Sequence, residues 1–136
     1  MITHEIEFRT RYVETDQMGY IHHSNFVQYY EMGRTELMRE HGLVYREIEE
    51  LGMLMPVLEV NIQYKIPALY DELLRLRTRM EQLPTVKIRF DYETFNPAGQ
   101  LLNLGHITLV LVDAKTRRPM RAPEPFLEKI RHHFPV

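Results

Sequence analysis

At 136 residues the chain is long enough for one domain with a real core and too short for two ordinary ones, so residues 1–136 are expected to form a single domain. Charged residues make up 26% of the chain and the formal net charge is -2, so no bulk positive field draws it to nucleic acid or anionic lipid. No apolar run approaches the roughly 18 residues of a membrane span, no basic-then-apolar leader opens the chain, and cysteine is absent; this predicts a soluble, cytoplasmic protein without disulfides, thiol nucleophiles or thiolate metal sites.

Residues 5–12 alternate, with Ile6, Phe8, Thr10 and Tyr12 on one side and Glu5, Glu7, Arg9 and Arg11 on the other, the period-two pattern of a half-buried strand. That strand delivers the chain to Thr15-Asp16-Gln17-Met18-Gly19-Tyr20-Ile21-His22-His23-Ser24-Asn25-Phe26, where a carboxylate, a glycine turn, a histidine pair and a helix start are crowded together. Ser24 or Asn25 can cap a helix. Phe26, Tyr30, Gly33 and Leu37 then recur at helical spacing until Gly42 offers a left-handed stop, which predicts a helix over 25–41. Val27, Tyr29, Met32 and Met38 widen its apolar surface, so it should be covered over much of its circumference. Gly33 in mid-helix costs about 1 kcal/mol relative to alanine, and close approach of a strand would explain it.

A shorter helical patch covers 44–51, ended by Gly52. Leu58, Val60, Ile62, Tyr64 and Ile66 then alternate with polar residues over 58–66, stopping at Pro67. Residues 72–82 and 86–95 read as a hairpin around Leu83-Pro84-Thr85. Pairing Gln82 with Val86 sets Glu81 against Lys87, Arg77 against Asp91 and Arg75 against Glu93 on the outward face. The same register leaves Arg79 facing Arg89, a like-charge pair that is unfavourable unless an anion or a neighbouring strand sits there. Residues 101–114 are apolar on both faces around Gly105, as for a central strand. Thr116-Arg117-Arg118-Pro119 turns, and Pro123-Glu124 opens a C-terminal helix carrying Phe126, Leu127 and Ile130. A long apolar helix followed by antiparallel strands predicts an α+β domain in which a curled antiparallel sheet wraps a long central helix. Its sheet edges need protection, and pairing them across a two-fold axis predicts a homodimer at least.

A carboxylate just before a helix start sits beside unpaired backbone N–H groups and the positive end of the helix dipole. Those N–H groups can polarise a carbonyl and stabilise the oxyanion that develops on attack, while Asp16 either attacks the carbonyl or deprotonates a water that does. The helix terminus favours the ionised carboxylate, and with it a nucleophile somewhat over a strong general base. A thioester is the natural target, being more electrophilic than an amide or ordinary ester. Asp16, His22, His23 and His106 carry metal-ligand atoms, but adjacent histidines seldom share one ion and no HExxH spacing is present, so no metal is expected. Nucleophile-elbow, P-loop and dinucleotide fingerprints are missing as well.

The run Arg11-Tyr12-x-Glu14-Thr15-Asp16-Gln17-Met18-Gly19-x-Ile21-His22-His23-Ser24-Asn25-Phe26, followed by Tyr29-Tyr30-Glu31 and Arg34-Thr35-Glu36, closely resembles the 4-hydroxybenzoyl-CoA thioesterase family. Within it the likeness is greatest to the bacterial acyl-CoA thioesterases associated with the Tol-Pal system. Tyr64-x-x-Pro67-Ala68-x-x-Asp71 and Gly105-x-x-Thr108-Leu109-Val110-x-Val112-Asp113 extend the resemblance over nearly the whole chain. It implies a hotdog fold, dimers that often pair into tetramers with active sites at the dimer interface, and hydrolysis of an acyl-CoA to free acid and CoA without metal or redox cofactor. It carries the family's catalytic aspartate onto Asp16 and the carbonyl-polarising backbone N–H onto His23, with His22 lining the site. Gly19, Tyr20, Ser24 and Asn25 complete the expected substrate-binding stretch, and Arg79, Arg89, Arg117, Arg118 and Arg121 are the candidates for CoA phosphates, because guanidinium groups grip phosphate well. Two rival activities share these residues: a hotdog dehydratase using His22 or His23 as base, and a non-catalytic acyl-CoA-binding or scaffold protein.

Overall fold

The computed structural model describes residues 1–135. In chain order the elements are strand β1 (Ile2–Arg9), helix α1 (Asn25–Glu40), helix α2 (Tyr45–Glu50), strands β2 (Met53–Leu54), β3 (Val57–Tyr64), β4 (Leu73–Met80), β5 (Lys87–Phe95), β6 (Leu101–Val110) and β7 (Val112–Asp113), and helix α3 (Glu124–Glu128). Five strands form one antiparallel sheet in the order β1-β4-β5-β6-β3, while β2 and β7 form a separate short ladder. The expected α+β architecture, a long helix held in a sheet, is the one observed.

The sheet grips α1 because the helix has no side chain at its closest point. A Cβ on Gly33 would run into Thr78 Oγ1 and lie 2.8 Å from Leu76 Cδ2, both on β4. Around that contact Tyr30, Leu37, Leu76, Met80, Phe90, Tyr92 and Ile107 are buried to the last few per cent or completely. Tyr30 stacks on Tyr92 with ring centroids 4.1 Å apart, and its hydroxyl donates to Asn103 Oδ1 at 2.6 Å, an oxygen that Thr94 Oγ1 also reaches at 2.9 Å. This buried polar anchor fixes the helix along its axis where apolar packing alone would let it slide. The opposite face of α1 is barer than its composition suggests, with Val27 and Met32 exposed in the single chain.

Three details of the sequence reading are corrected. The β4–β5 register is shifted by two residues: Arg77 lies opposite Glu93 and Arg79 opposite Asp91, so the Arg79/Arg89 confrontation does not exist. The observed register replaces that repulsion with opposite-charge pairs, which is the physical reason to prefer it. The first strand ends at Arg9, and Tyr12 enters a 3-10 turn (Tyr12–Glu14) with its ring largely exposed. Thr10 diverts the chain by donating its hydroxyl to Leu69 O at 2.6 Å. The central strand breaks after Val110, where Leu111 switches the chain from β6 into the β2–β7 ladder.

The outer strand β3 is the structural surprise. Val57, Leu58, Val60 and Tyr64 are all 41% exposed or more, so this edge presents apolar side chains to solvent in the isolated chain. On its other side β3 is pressed so closely to β6 that a Cβ on Gly105 would collide with the Asn61 carbonyl oxygen. Among the described residues no helix is long and apolar enough to cross a membrane.

Candidate active site

The loop from Asp16 to Ser24 is folded by its own polar groups. Asp16 Oδ1 accepts the Met18 N–H at 2.8 Å and the Tyr20 N–H at 3.2 Å, while the Asp16 backbone N–H reaches Tyr20 O at 2.7 Å. Gly19 closes this turn at φ 79, a left-handed conformation that other residues resist. One carboxylate oxygen of Asp16 is therefore committed to structure, and Oδ2 accepts no hydrogen bond among the described residues. The loop is then tied down from both sides, by Ile21 N–H to Ala68 O at 2.8 Å and by His22 N–H to Glu14 O at 2.8 Å.

The two histidines differ in what they do. His22 Nδ1 accepts the Ser24 N–H at 3.3 Å and lies 2.8 Å from Ser24 Oγ. His23 presents its backbone: its N–H has no acceptor among the described residues, while its C=O accepts the Tyr64 hydroxyl at 2.7 Å and the Phe26 N–H at 3.2 Å. Ser24, expected as the helix cap, places its hydroxyl on His22 and makes no side-chain cap bond. Asn25 uses its side-chain amide to hold two carbonyls, Glu14 O at 3.0 Å and His22 O at 3.2 Å.

Asp16, Tyr20, His23, Phe26, Tyr64 and Lys65 are among the residues lining a cleft of 270 Å³ between this loop and the segment that follows β3. Of the residues expected from sequence, the cleft thus brings together Asp16, Tyr20 and His23. Gly19, His22, Ser24 and Asn25, expected to line the site, are not among the residues that line this cleft, because their polar groups are turned to the loop's own hydrogen bonds. Tyr64, Lys65 and Pro67 were not expected in the site, and the signal for them was the Tyr64-x-x-Pro67 motif. A larger groove of 930 Å³ flanks α1 on the β1 side, lined in part by Phe8, Glu14, Tyr29 and Met32. Its buried carboxylate, Glu14, is taken up by the Arg11 backbone N–H at 2.8 Å and the Arg11 guanidinium at 3.3 Å. Burial and the adjacent Glu14 carboxylate push the Tyr29 phenol up, keeping it neutral. Size therefore favours the groove, but only the smaller cleft combines an available carboxylate oxygen with an unengaged N–H at a helix start.

The candidate arginines are scattered. Arg79 lies 3.6 Å from Glu93 and 3.8 Å from Glu81, and Arg89 lies 3.0 Å from Asp91, so both belong to a ladder of ion pairs on the outer sheet face. With the register corrected, the like-charge confrontation that pointed to an anion there is gone. Arg117 and Arg118 sit in the turn after β7, where Arg117 adopts φ 64 and donates its N–H to Asp113 O at 2.8 Å; Arg121 is exposed on the segment before α3. Arg117 also lines a 560 Å³ cleft with Arg34, Met55 and Pro56, at the start of β3, whereas Asp16 lies at its end. The eight residues of β3 separate these two clefts by roughly 25 Å within one chain. His106, the fourth metal candidate, is on β6 with Nε2 2.6 Å from Glu59, and among the described residues no group of three or more His, Asp and Glu side chains is arranged to hold a metal ion.

A long helix packed on a five-stranded antiparallel sheet is the architecture of the hotdog class. The family described as the thioesterase-like superfamily matches residues 10–130, and the chain belongs to it. The Bacillus subtilis protein YneP is 36% identical over 120 residues, covering 88% of this chain and 87% of its own. The acyl-CoA thioester hydrolase YbgC of Escherichia coli is 25% identical over 123 residues, covering 90% and 92%. Among solved structures, the DHNA-CoA thioesterase from Staphylococcus aureus superposes with a TM-score of 0.89 at 28% identity, covering 100% of this chain and 97% of that one.

Proposed function

We propose that this chain is an acyl-CoA thioesterase that uses Asp16 to cleave the thioester and the His23 N–H to hold the oxyanion. The observation that carries the reading is the shared cleft: Asp16 and His23 line the same 270 Å³ space at the start of α1. With the thioester carbonyl oxygen on the His23 N–H, Asp16 Oδ2 adds to the acyl carbon and the C–S bond breaks, the CoA sulfur leaving as thiolate and taking a proton from solvent. Water then hydrolyses the mixed anhydride, giving the free acid and restoring Asp16. If Asp16 instead deprotonates an attacking water, oxygen reaches the product directly from solvent. A single turnover in heavy-oxygen water tests for the nucleophilic route: unlabelled acid with the label left in the Asp16 carboxylate requires a mixed anhydride opened by water at Asp16 Cγ, whereas the general-base route labels the acid and leaves Asp16 unlabelled.

The working unit is proposed to be a homodimer paired through the exposed apolar edge of β3, with pairing of dimers into tetramers as a further step. Antiparallel pairing of two β3 edges sets the end of one strand beside the start of the other. The partner's Arg117 and Arg118 turn would then approach the Asp16 cleft, bringing guanidinium groups to the CoA phosphates. No metal or redox cofactor is invoked, CoA being part of the substrate, and the proposed compartment is the cytoplasm, where CoA thioesters are found. The dehydratase alternative needs a histidine base: His22 Nδ1 is engaged by Ser24, which leaves that reading to the His23 ring in the cleft. The test is release of free thiol from a panel of aliphatic and aromatic acyl-CoAs. Turnover of at least one is expected; tight binding with no turnover, or enoyl formation without thiol release, would overturn the hydrolase reading.

A further inference from the structure

We infer that Tyr64 and Asn25 form a two-sided clamp that presets the His23 N–H as the oxyanion donor, acting as positioning residues through the two carbonyls that flank it. The inference rests on the thioesterase reading above. The His23 N–H belongs to the peptide unit whose carbonyl is that of His22. Asn25 donates twice to that carbonyl, from its backbone N–H at 3.0 Å and from Nδ2 at 3.2 Å. Hydrogen bonds accepted by a carbonyl polarise the N–H of the same peptide unit, so Asn25 strengthens the donor as well as orienting it.

The neighbouring peptide is held from the other direction. Tyr64 donates its hydroxyl to His23 O at 2.7 Å, across from the Phe26 N–H. With both flanking carbonyls fixed, the His23 backbone has little freedom to swing its N–H out of the cleft. Each half of the clamp is anchored in rigid structure. Tyr64 is the last residue of β3, opposite Asn103 on β6, and its ring lies edge-on to Phe26 with centroids 5.8 Å apart. Asn25 is the first residue of α1, and its Nδ2 also reaches Glu14 O at 3.0 Å. A donor set by elements rather than by a loose loop needs no reorganisation as the oxyanion forms. Partial burial raises the Tyr64 pKa above that of an ordinary tyrosine, so the hydroxyl stays a donor through neutral and mildly alkaline pH.

The test compares Tyr64→Phe, which removes only the hydroxyl, with Tyr64→Leu, which also removes the ring. For Tyr64→Phe we expect kcat to fall about tenfold to a hundredfold, with KM and melting temperature unchanged; Tyr64→Leu should add a loss of stability. Wild-type kcat in Tyr64→Phe, or a loss carried by KM alone, overturns the clamp. A second readout needs no substrate: the His23 amide proton resonance should move upfield in Asn25→Ala, which removes one of the two donors on that peptide's own carbonyl, and an unmoved resonance there also overturns it. If Asp16→Asn keeps wild-type turnover, the thioesterase mechanism falls, while the amide resonance still decides the clamp.

Discussion

Asp16 and His23 face one cleft because the loop between them is closed at its base, Ile21 N–H bonding to Ala68 O at 2.8 Å and Asp16 N–H to Tyr20 O at 2.7 Å. The first bond fastens the loop to the segment after β3; the second folds it back on itself. A carboxylate from the loop and a backbone donor from the helix start are thereby held at fixed separation without any contact between their side chains. The proposed chemistry would thus rest in part on backbone geometry.

Gly105 is expected to be intolerant of any side chain. A Cβ there would meet the Asn61 carbonyl oxygen and come within 3.0 Å of Ile62 Cα, and backbone cannot rotate away as a side chain can. Gly105→Ala should destabilise by about 3 kcal/mol, read as a lower denaturant midpoint. A midpoint equal to wild type would show that β3 and β6 are less closely apposed than described.

Acid should weaken the fold before ordinary carboxylates titrate. Burial, then the nearby His133, His4 and His132, pushes His41 below the usual histidine pKa, with Glu40 opposing; burial, His132 and the amino terminus lower His133 in the same way. The unfolded chain therefore takes up protons that the folded one refuses. Stability is full above the ordinary histidine value of about 6.5 and is lost as pH falls through it toward the depressed folded values. Melting temperature should drop as pH falls below about 6.5, and less steeply in a His41→Gln, His133→Gln double variant. Identical slopes would exclude these histidines as the cause.

The apolar edge of β3 should be the dimer seam. Leu58 is 56% exposed and Val60 41% in the single chain. A Leu58→Glu, Val60→Glu variant should scatter light as a monomer where the wild type scatters as a dimer or larger, and should lose thiol release with it. A monomeric wild type, or a charged variant that remains dimeric, would rule this seam out.

Much of this was legible from residues. The alternation in Ile6 and Phe8, the helical spacing from Phe26 to Leu37 and the Gly42 stop all report local geometry, which a periodic pattern encodes directly. Gly33 even announced the approach of β4. The β4–β5 register was not legible, because a shift of two residues keeps every side chain on its own face and leaves a different set of charge pairs; only the turn around Pro84 decides between them. The partners of Asn25 and Ser24 were equally hidden. Both residue types are good caps, and nothing local says that Asn25 will instead hold Glu14 and His22. Tyr64 escaped notice because its partner, the His23 carbonyl, is distant in sequence and carries no residue signature.

The most direct measurement of the central claim is thiol release by Asp16→Asn beside wild type, on whichever acyl-CoA the wild type turns over best. The amide keeps the size of the side chain and an oxygen for the Met18 and Tyr20 N–H groups, so the loop should stay folded. In Asp16→Asn, kcat should fall at least about a hundredfold with the melting temperature held. Equal turnover by the two proteins would contradict the claim and remove Asp16 from the reaction.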